Sequence, residues 1–554
     1  MFKEDVWLGP GAFGNSLEYY VKGLELGNAV FTSFEGTPEN FKEYRDKIID
    51  MGAGLERFVW ASQGTYNSYD AVFQEVLGKL QTQSDLILAT DSSLNEYYKM
   101  SGSLDVDQFK GSVDSYQTIA KKLGLDDSIL RRKVEPVRAV YSVVDHVRTL
   151  LFAISDGMLP SNVGGGYNLR VILRRALDFL NEFGISSTLA QIALWHAESL
   201  KSMYPELLEN VIDVERILEV EAKKYDNTKI RASRVIESLS KRKQGLGVEE
   251  LARLYDSDGI TPDTLKKSGL KVDIPADFYE RITSRHMLQR EEKQEQTFEV
   301  GLVPTTKLIY YEDSSQIEFD ARVEKIFSGG FVALSSTAFY PRGGGQEPDF
   351  GTLNGLSVDN VIKVDGVVLH HVKGSDQLRE GDLVKGLIDY KRRSTITRHH
   401  TATHIVNGAC RIVLGPWVWQ HSAFKDVDMG RLDITHFAHL TRENIKEIER
   451  LANEIVRRDL PIMIRWIPRM EAELKYGFRL YQGGVAPVKD LRIVNIEGFD
   501  VEACGGTHVK NTGEVGIIKI TKTERVQDGE TRTDLRSWSS SDDETHLLRR
   551  QFAN

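Results

Sequence analysis

Residues 399–404 read HHTATH, and residues 500–508 read DVEACGGTH. The first and last positions of HTATH are four apart, so on a helix both imidazoles lie on one face and can reach the same ion. In the second stretch, two glycines permit a tight turn that lets the cysteine and the following histidine converge. Sulfur and nitrogen donors of this kind form a complete zinc set. The predicted metal ligands are His400, His404, Cys504 and His508.

Either stretch alone is weak evidence, because an HxxxH pair on a helix is common by chance. Together they use Cys504, one of only two cysteines in the chain, while Cys410 is predicted to be a buried apolar residue. Four protein ligands are typical of a structural zinc, whereas a catalytic zinc keeps one position for water. The ion could therefore act in catalysis or only position a substrate.

The composition is that of an ordinary folded protein, with 27% charged and 41% hydrophobic residues among 554. This length predicts about three or four domains. The formal net charge of −10 excludes a globally basic nucleic-acid-binding chain, so any such partner must contact local patches. Two cysteines exclude a disulfide framework. No apolar run approaches the roughly 20 residues that span a bilayer, so we expect a cytoplasmic enzyme without a membrane partner.

The paired motifs resemble the editing-domain signature of the alanyl-tRNA synthetase family, which is shared with free-standing proteins that deacylate mischarged tRNA. Further segments extend the resemblance over residues 1 to about 529. Residues 339–351, 419–436 and 477–487 resemble further segments of the editing domain. Residues 145–176 and 254–265 resemble tRNA-recognition segments of archaeal type, and residues 50–58 resemble class II motif 3.

The resemblance, together with a change of hydrophobic period along the chain, implies a multidomain α+β protein. Its predicted parts are a remnant of a class II antiparallel-sheet catalytic domain (1–80), an all-α tRNA-recognition domain (81–300), a small β-barrel with a glycine-rich motif (301–388), an α+β zinc-containing editing domain (389–530) and a divergent, loose polar tail (531–554). The implied activity is attachment of alanine to tRNA-Ala with ATP and Mg, and hydrolytic editing of seryl- and glycyl-tRNA.

In the catalytic remnant, DMGAGLERF is expected to be a glycine-rich loop that leads into a helix. By resemblance, Arg57 of this motif faces the ATP phosphates, where its planar guanidinium suits an anion. Gly52 and Gly54 belong to the same site. Asn28 and Asp50 are expected to line the alanine pocket, with Asp50 facing the substrate ammonium. The alternative is a helix-start loop with an exposed arginine.

The helical region carries the candidates for tRNA recognition. Arginines that follow a triple glycine can neutralise phosphates, while a nearby amide reads a base edge of the acceptor-stem G·U pair. Which asparagine does so stays open, and the alternative is a solvated charged face. The candidates are Asn162, Asn168, Arg170, Arg174, Arg175 and Asp256.

Basic residues also precede the predicted metal helix and are expected to hold the tRNA 3′ end near zinc. They are Lys391, Arg392, Arg393 and Arg398. By resemblance, Gln346 of the glycine-rich motif is the catalytic-site amide that reaches the aminoacyl ester. The alternative for the basic residues is a solvated charge run, and the alternative for Gln346 is an amide that caps a turn.

The chain departs from the family at both ends. Class II motifs 1 and 2 are not found in the 49 residues before Asp50, and the C-terminal dimerisation domain is not found either. We therefore expect a monomer that does not form adenylate alone, from a truncated, split or frameshifted gene. Three hypotheses remain: an incomplete alanine–tRNA ligase that retains editing, a trans-editing hydrolase, or a non-catalytic tRNA-binding remnant or subunit of a split synthetase.

Overall fold

A computed structural model describes the greater part of the chain. The described residues are 2–9, 11–37, 40–83, 92–101, 115–161, 164–241, 246–258, 260, 265–266, 268–270, 272, 298, 300–482, 488–527 and 529–538. They form two compact units, one of residues 1–155 and 171–225 and the other of residues 156–170 and 226–554. The finer division into five segments stays a prediction.

The first unit begins with a four-stranded antiparallel sheet in the order β1-β2-β3-β4. The strands are β1 (Phe2–Gly9), β2 (Ala12–Val21), β3 (Leu24–Thr37) and β4 (Asn40–Ala53). Lys22 and Gly23 both have positive φ, 50° and 88°, which suits the tight hairpin between β2 and β3. Strand β4 continues to Ala53, and only Gly54 separates it from the next helix. The expected glycine-rich loop is thus wrong: Gly52 is paired in a strand.

All described regular elements from residue 55 to residue 258 are helices. They are α1 (Leu55–Gln63), α2 (Ser68–Val72), α3 (Gln74–Gln83), α4 (Ser92–Ser101), α5 (Ser115–Leu123), α6 (Asp127–Ser155), α7 (Gly164–Glu182), α8 (Leu189–Leu200), α9 (Pro205–Glu209), α10 (Val211–Ser240) and α11 (Val248–Asp258). In α6, buried Val140, Val144 and Leu151 recur at spacings of 4 and 7, giving one apolar face. None of the described helices has the length and apolarity that crossing a membrane requires.

In the second unit, six strands close a barrel in the order β10-β11-β7-β6-β12-β9. The strands of this region are β5 (Lys307–Leu308), β6 (Glu318–Ile326), β7 (Phe331–Leu334), β8 (Ser336–Thr337), β9 (Gly351–Leu353), β10 (Leu356–Val364), β11 (Val367–Val372) and β12 (Leu383–Ile388), with the short helix α12 (Ile309–Glu312) after β5. Alternating residues such as Val332 and Leu334 fill the interior. The glycine-rich motif lies between β8 and β9 and so leaves the barrel as a loop.

The chain continues into the long helix α13 (Tyr390–Leu414), whose N-cap Asp389 accepts a hydrogen bond from the backbone N–H of Arg392. Two antiparallel sheets follow, with orders β13-β14-β19-β18 and β15-β16-β17. Their elements are β13 (Gln420–Lys425), β14 (Gly430–Thr435), α14 (Arg442–Arg458), β15 (Ile462–Pro468), α15 (Arg469–Tyr476), β16 (Asp490–Ile496), β17 (Asp500–Ala503), β18 (Ile517–Gln527) and β19 (Glu530–Trp538). Helix α13 packs on both sheets and on α14, so it is buried along most of its length.

Strand β19 corrects the prediction of a loose tail after residue 530. It lies inside the four-stranded sheet, paired with β14 on one side and β18 on the other. Thr531, Thr533, Leu535 and Ser537 alternate as its buried residues. The pattern escaped prediction because three of these inward side chains are hydroxyl residues, which read as polar although threonine favours strands. Residues 539–554 lie outside the described part of the chain.

Candidate metal centre

Four predicted ligands converge at one buried point of the second unit. Helix α13 presents His400 and His404, and the loop after β17 presents Cys504 and His508, with one ligand atom of each within 4.8 Å of all the others. Cys504 Sγ lies 3.2 Å from His400 Nε2 and 3.5 Å from His508 Nε2. Each of the four residues is at most 8% exposed. The arrangement is compatible with a single tetrahedral ion.

The second glycine of CGGTH is required by this close approach. A Cβ atom on Gly506 would lie 2.0 Å from His400 Cε1 and 2.8 Å from Gln346 Oε1. Both contacts are far inside van der Waals distance, and both involve fully buried side chains. The loop can therefore reach α13 only with glycine at this position.

Each histidine is oriented through the ring nitrogen that faces away from the cluster. His400 Nδ1 donates to Gln346 Oε1 at 2.7 Å, and His508 Nδ1 lies 3.2 Å from Thr401 Oγ1. The Thr401 hydroxyl donates to the carbonyl of Thr397, so its oxygen accepts from His508. These bonds place the ring protons on Nδ1 and leave Nε2 of both rings for a metal.

His404 is held by a buried carboxylate. Its Nδ1 lies 3.2 Å from Glu502 Oε2 and 3.7 Å from Asp500 Oδ2. The other carboxylate oxygen of Glu502 accepts a hydrogen bond from the Asn407 amide at 2.6 Å, and Asp500 is paired with Arg411. Carboxylate–histidine pairs of this kind are the usual outer support of a zinc ligand.

The electrostatics also suit a cation. Burial opposes the Cys504 thiolate, but the charges and hydrogen bonds of the three histidines, beginning with His400, hold its pKa well below the usual range. Burial would lower the pKa of His404, but Glu502, Asp500 and Cys504 raise it to about 10. While Nδ1 of His404 faces the two carboxylates, its Nε2 is buried without a hydrogen-bond partner among the described residues. A buried imidazole nitrogen without a partner, next to a cysteine whose thiolate is favoured, fits a zinc ion.

Gln346 is placed behind His400 rather than toward an open site. Its side chain is 1% exposed. Oε1 accepts from His400 and, at 3.0 Å, from the backbone N–H of Thr507, while Nε2 donates to the Thr507 hydroxyl at 3.0 Å. The expectation that this amide reaches a bound ester does not match these contacts. Gln346 instead joins His400, a candidate metal ligand, to the CGGTH loop.

The glycine-rich loop that carries Gln346 is itself fastened to β13. The buried ammonium of Lys425 donates to the carbonyl of Gly344 at 3.1 Å, and its backbone N–H donates to the carbonyl of Gly345 at 2.7 Å. A Cβ on Gly345 would lie 1.9 Å from the carbonyl oxygen of Ala423. Glycine therefore lets the loop lie flat against the strand, which places Gln346 beside His400.

The structure contradicts the tRNA-binding assignment of Arg393. This guanidinium is 3% exposed, forms a bidentate ion pair with Asp349 and donates to the carbonyls of Ser314 and Ala338. All its donors are directed into the protein, so no phosphate can reach it. Arg392 is also engaged, because it is 10% exposed, is paired with Asp426 and donates to the carbonyl of Pro348. Both arginines join α13 to neighbouring loops.

The remaining basic residues near α13 differ in exposure. Lys391 is exposed at the start of the helix, while Arg398 is half-buried and donates to the Thr395 hydroxyl. A similar correction applies to Arg170, which is 3% exposed and donates to the carbonyl of Pro160. Its position just after the triple glycine suggested a phosphate contact, but a buried side chain of this kind cannot contact a tRNA phosphate.

Other predicted tRNA-binding residues lie on or near α7. Asn168 and Arg175 are exposed, and Arg174 is half-buried with its guanidinium 5.5 Å from the ring centre of Tyr225. Asn162 lies outside the described residues. Asp256 lies in α11, but its side chain is outside the described part of the structure.

The predicted alanine and ATP residues lie in the first unit, at the end of its sheet. Asn28 is paired with Gly52, and Asp50 is paired with Val30 two positions along, so Asn28 and Asp50 lie on the same face. Arg57, in the first turn of α1, donates to the carbonyl of Glu25 at 2.9 Å and lies 3.3 Å from its carboxylate. Asn28, Asp50 and Gly52 are therefore neighbours in the sheet, and Arg57 reaches the adjoining strand β3 from α1.

Three residues of the metal centre were missed by sequence reasoning: Glu502, Asp500 and Thr401. Two of them were visible as the alternating acids of DVEAC, two and four positions before the cysteine. Alternate residues of a strand share a face, so this spacing places both carboxylates on one side. Thr401 gave no comparable signal.

Comparisons with known proteins bear on the whole chain. Residues 15–392 match the family model described as tRNA synthetases class II (A), and residues 491–532 match the second additional domain of threonyl and alanyl tRNA synthetases. The chain belongs to the class II (A) tRNA synthetases. It is 47% identical to the alanine–tRNA ligase of Cenarchaeum symbiosum over 535 residues and 43% identical to that of Nitrosopumilus maritimus over 537 residues.

These comparisons confirm the resemblance to alanyl-tRNA synthetases. Both alignments cover 97% of this chain and 59% of the relative. A third relative, the alanine–tRNA ligase of Methanocella arvoryzae, is 43% identical over 547 residues, which are 97% of this chain and 61% of that protein. The chain thus spans about 60% of the length of these curated relatives.

Proposed function

We propose that this chain acts in alanine–tRNA ligase function, attaching alanine to tRNA-Ala with Mg-ATP and hydrolysing seryl- and glycyl-tRNA. The observation that carries the editing part is the buried cluster of His400, His404, Cys504 and His508, in a chain of this family. The names of the relatives support the ligase part.

The metal of the cluster is proposed to be zinc. Thiolate and imidazole donors in a tetrahedral set favour zinc over magnesium or calcium, which prefer oxygen ligands. When bound, zinc would supply a Lewis acid that holds the substrate amino acid or polarises its ester carbonyl. The chain's own contribution is to fix the ligands: Gln346, Glu502 and Thr401 orient the three imidazoles.

Editing would be hydrolysis of the ester that joins the amino acid to the terminal ribose. Water oxygen bonds to the carbonyl carbon, the bond to the ribose oxygen breaks, and that oxygen leaves as a hydroxyl. A second hydrolytic site is needed because a pocket for alanine cannot strongly reject glycine, which is smaller, or serine, which adds one hydroxyl.

The ligase activity would use the sheet of the first unit. Asp50 would pair with the ammonium of alanine, Asn28 would line the same pocket, and Arg57 would face the ATP phosphates. Gly52 and Gly54 keep side chains away from this site. For tRNA we retain Asn168, Arg174 and Arg175 on α7 and exposed Lys391 near the metal helix.

Two assays on the purified protein test this proposal: alanine-dependent ATP–pyrophosphate exchange and deacylation of seryl-tRNA. Both activities, together with about one zinc per chain, are expected for the full function. Deacylation without exchange would support a trans-editing hydrolase instead, and tRNA binding without either activity would support a non-catalytic subunit. Deacylation that survives Cys504→Ala unchanged would refute the role of the metal cluster.

A further inference from the structure

An unused tyrosine hydroxyl lies at the edge of the metal centre. Tyr311, in α12, places its Oη beside the CGG turn, where a Cβ on Gly505 would lie 3.2 Å from it. Gly505 is exposed, whereas Cys504 and Gly506 on either side are buried. Among the described residues, no hydrogen-bond partner of the Tyr311 hydroxyl is found. A tyrosine hydroxyl is neutral at pH 7 and can donate a hydrogen bond.

The tyrosine ring belongs to a stack that runs from the metal centre to solvent. Arg492 donates to the carbonyl of Cys504 at 2.7 Å, and its guanidinium lies 5.1 Å from the ring centre of Tyr311. On the outer side, Trp466 of β15 meets the same ring edge-on at 5.6 Å. Trp466 is nevertheless 57% exposed, so much of this large apolar side chain faces water.

Trp466 offers a flat aromatic face on the solvent side, and Tyr311 offers a hydroxyl donor closer to the metal centre. The Arg492 guanidinium lies against the Tyr311 ring and supplies a positive charge. A nucleoside ester has the matching order of groups: a base that can stack, a ribose that accepts hydrogen bonds and an ester at the inner end. Aromatic stacking of single-stranded bases is tolerant of sequence, and arginine adds to it. A small free amino acid would leave the outer aromatic face without a partner.

We propose that Trp466, Tyr311 and Arg492 form the entrance through which the terminal nucleoside of an aminoacylated tRNA reaches the metal centre. Trp466 stacks on the terminal base, and the Tyr311 hydroxyl donates to an oxygen of the terminal ribose. Arg492 is a positioning residue that holds the Tyr311 ring against the turn after Cys504. This inference rests on the proposed editing function and names the substrate portion that the site contacts.

The first test compares Trp466→Ala with Trp466→Phe in the full chain with zinc bound. Loss of base stacking should raise KM for seryl-tRNA deacylation by about 5- to 150-fold with little change in kcat, and the phenylalanine variant should recover most of it. Serine methyl ester has no base, so its hydrolysis should be the same in all three proteins. Tyr66→Ala removes an equally exposed aromatic ring from the other unit and should behave as wild type.

The second test compares Tyr311→Phe with Tyr310→Phe. Loss of one hydrogen bond to the substrate should lower kcat/KM by about 2- to 12-fold for Tyr311→Phe. Tyr310→Phe removes the same atom from the neighbouring ring, which packs on Tyr340, and should have no effect. Equal losses in the two variants would show a general packing effect and overturn the assignment of Tyr311.

Binding separates this inference from the proposed function. An acceptor-stem minihelix ending in a stable 3′-seryl amide should bind Trp466→Ala about 5- to 150-fold more weakly than wild type. If wild type lacks deacylase activity but shows this difference, the editing proposal fails and the entrance stands. If wild type deacylates and Trp466→Ala binds the minihelix equally well, the entrance is refuted. The entrance is also refuted if Trp466→Ala slows the hydrolysis of serine methyl ester as much as that of seryl-tRNA.

Discussion

The support of His404 by Glu502 can be tested with the single substitution Glu502→Gln, which keeps the shape and removes the charge. Because Asn407 donates to Oε1 of residue 502, the glutamine oxygen should stay at that position and its NH2 group should take the place of Oε2. Because an NH2 group can only donate a hydrogen bond, Nδ1 of His404 would have to accept one and could not carry the ring proton. The ring proton then moves to Nε2 of His404, which can no longer bind a metal without losing it.

The expected loss of zinc affinity is about 10- to 100-fold, which corresponds to about 1.4–2.7 kcal/mol. The carboxylate oxygen lies only 3.2 Å from the imidazole nitrogen in a fully buried setting, so solvent screening is weak. The loss should therefore lie toward the upper end of that range and depend little on ionic strength.

Zinc affinity can be measured by competition with a chromophoric chelator at pH 7.5. Glu497→Gln is the matched control, since it makes the same change at an exposed position in the turn between β16 and β17. Thermal unfolding in excess chelator should show that both variants fold without metal as wild type does. An affinity for Glu502→Gln equal to that of wild type would refute the argument about His404. Absence of bound zinc in wild type would refute the metal proposal itself.

Three further perturbations have defined outcomes. Gly506→Ala should abolish zinc binding, because the added Cβ would lie 2.0 Å from His400 Cε1, and metal analysis would detect this. Asp349→Ala should lower the free energy of unfolding by about 3–5 kcal/mol in urea titrations, since it leaves the buried guanidinium of Arg393 unpaired; near-neutral behaviour would contradict this. Burial lowers the pKa of His370 to about 4, below the unfolded value of roughly 6.5, so its neutral form stabilises the barrel above pH 6.5. About 3 kcal/mol of this should be lost as pH falls from 7 to 4, and His370→Gln should lose less than wild type over that interval.

Several features of the protein could be predicted from the residues alone. The change from helical to alternating periodicity separated the helical region from the barrel and from the mixed α/β region, because side-chain direction repeats every 3.6 or 2 residues. The four histidine and cysteine positions were also predictable. An i, i+4 pair on a helix and a cysteine and histidine joined by a glycine turn are local geometries, and only their meeting depends on the fold.

The roles of the charged and polar residues needed the tertiary structure. Arg393 and Arg170 look like exposed phosphate ligands in the sequence, yet both are 3% exposed. The partner that buries Arg393, Asp349, is 44 positions away, and no local pattern connects the two. Strand β19 was missed for a related reason: its inward side chains are mostly threonine and serine, and only pairing on both sides turns them into a core strand.

The candidate metal centre shows the same division. Its ligands follow from the spacing of residues within two short stretches. The orientation of the candidate ligands depends on Gln346, which meets Thr507 across 161 positions. Local periodicity therefore determined which residues could bind a metal. Long-range packing, which sets burial and hydrogen-bond partners, decided how they are held and how deeply they are buried.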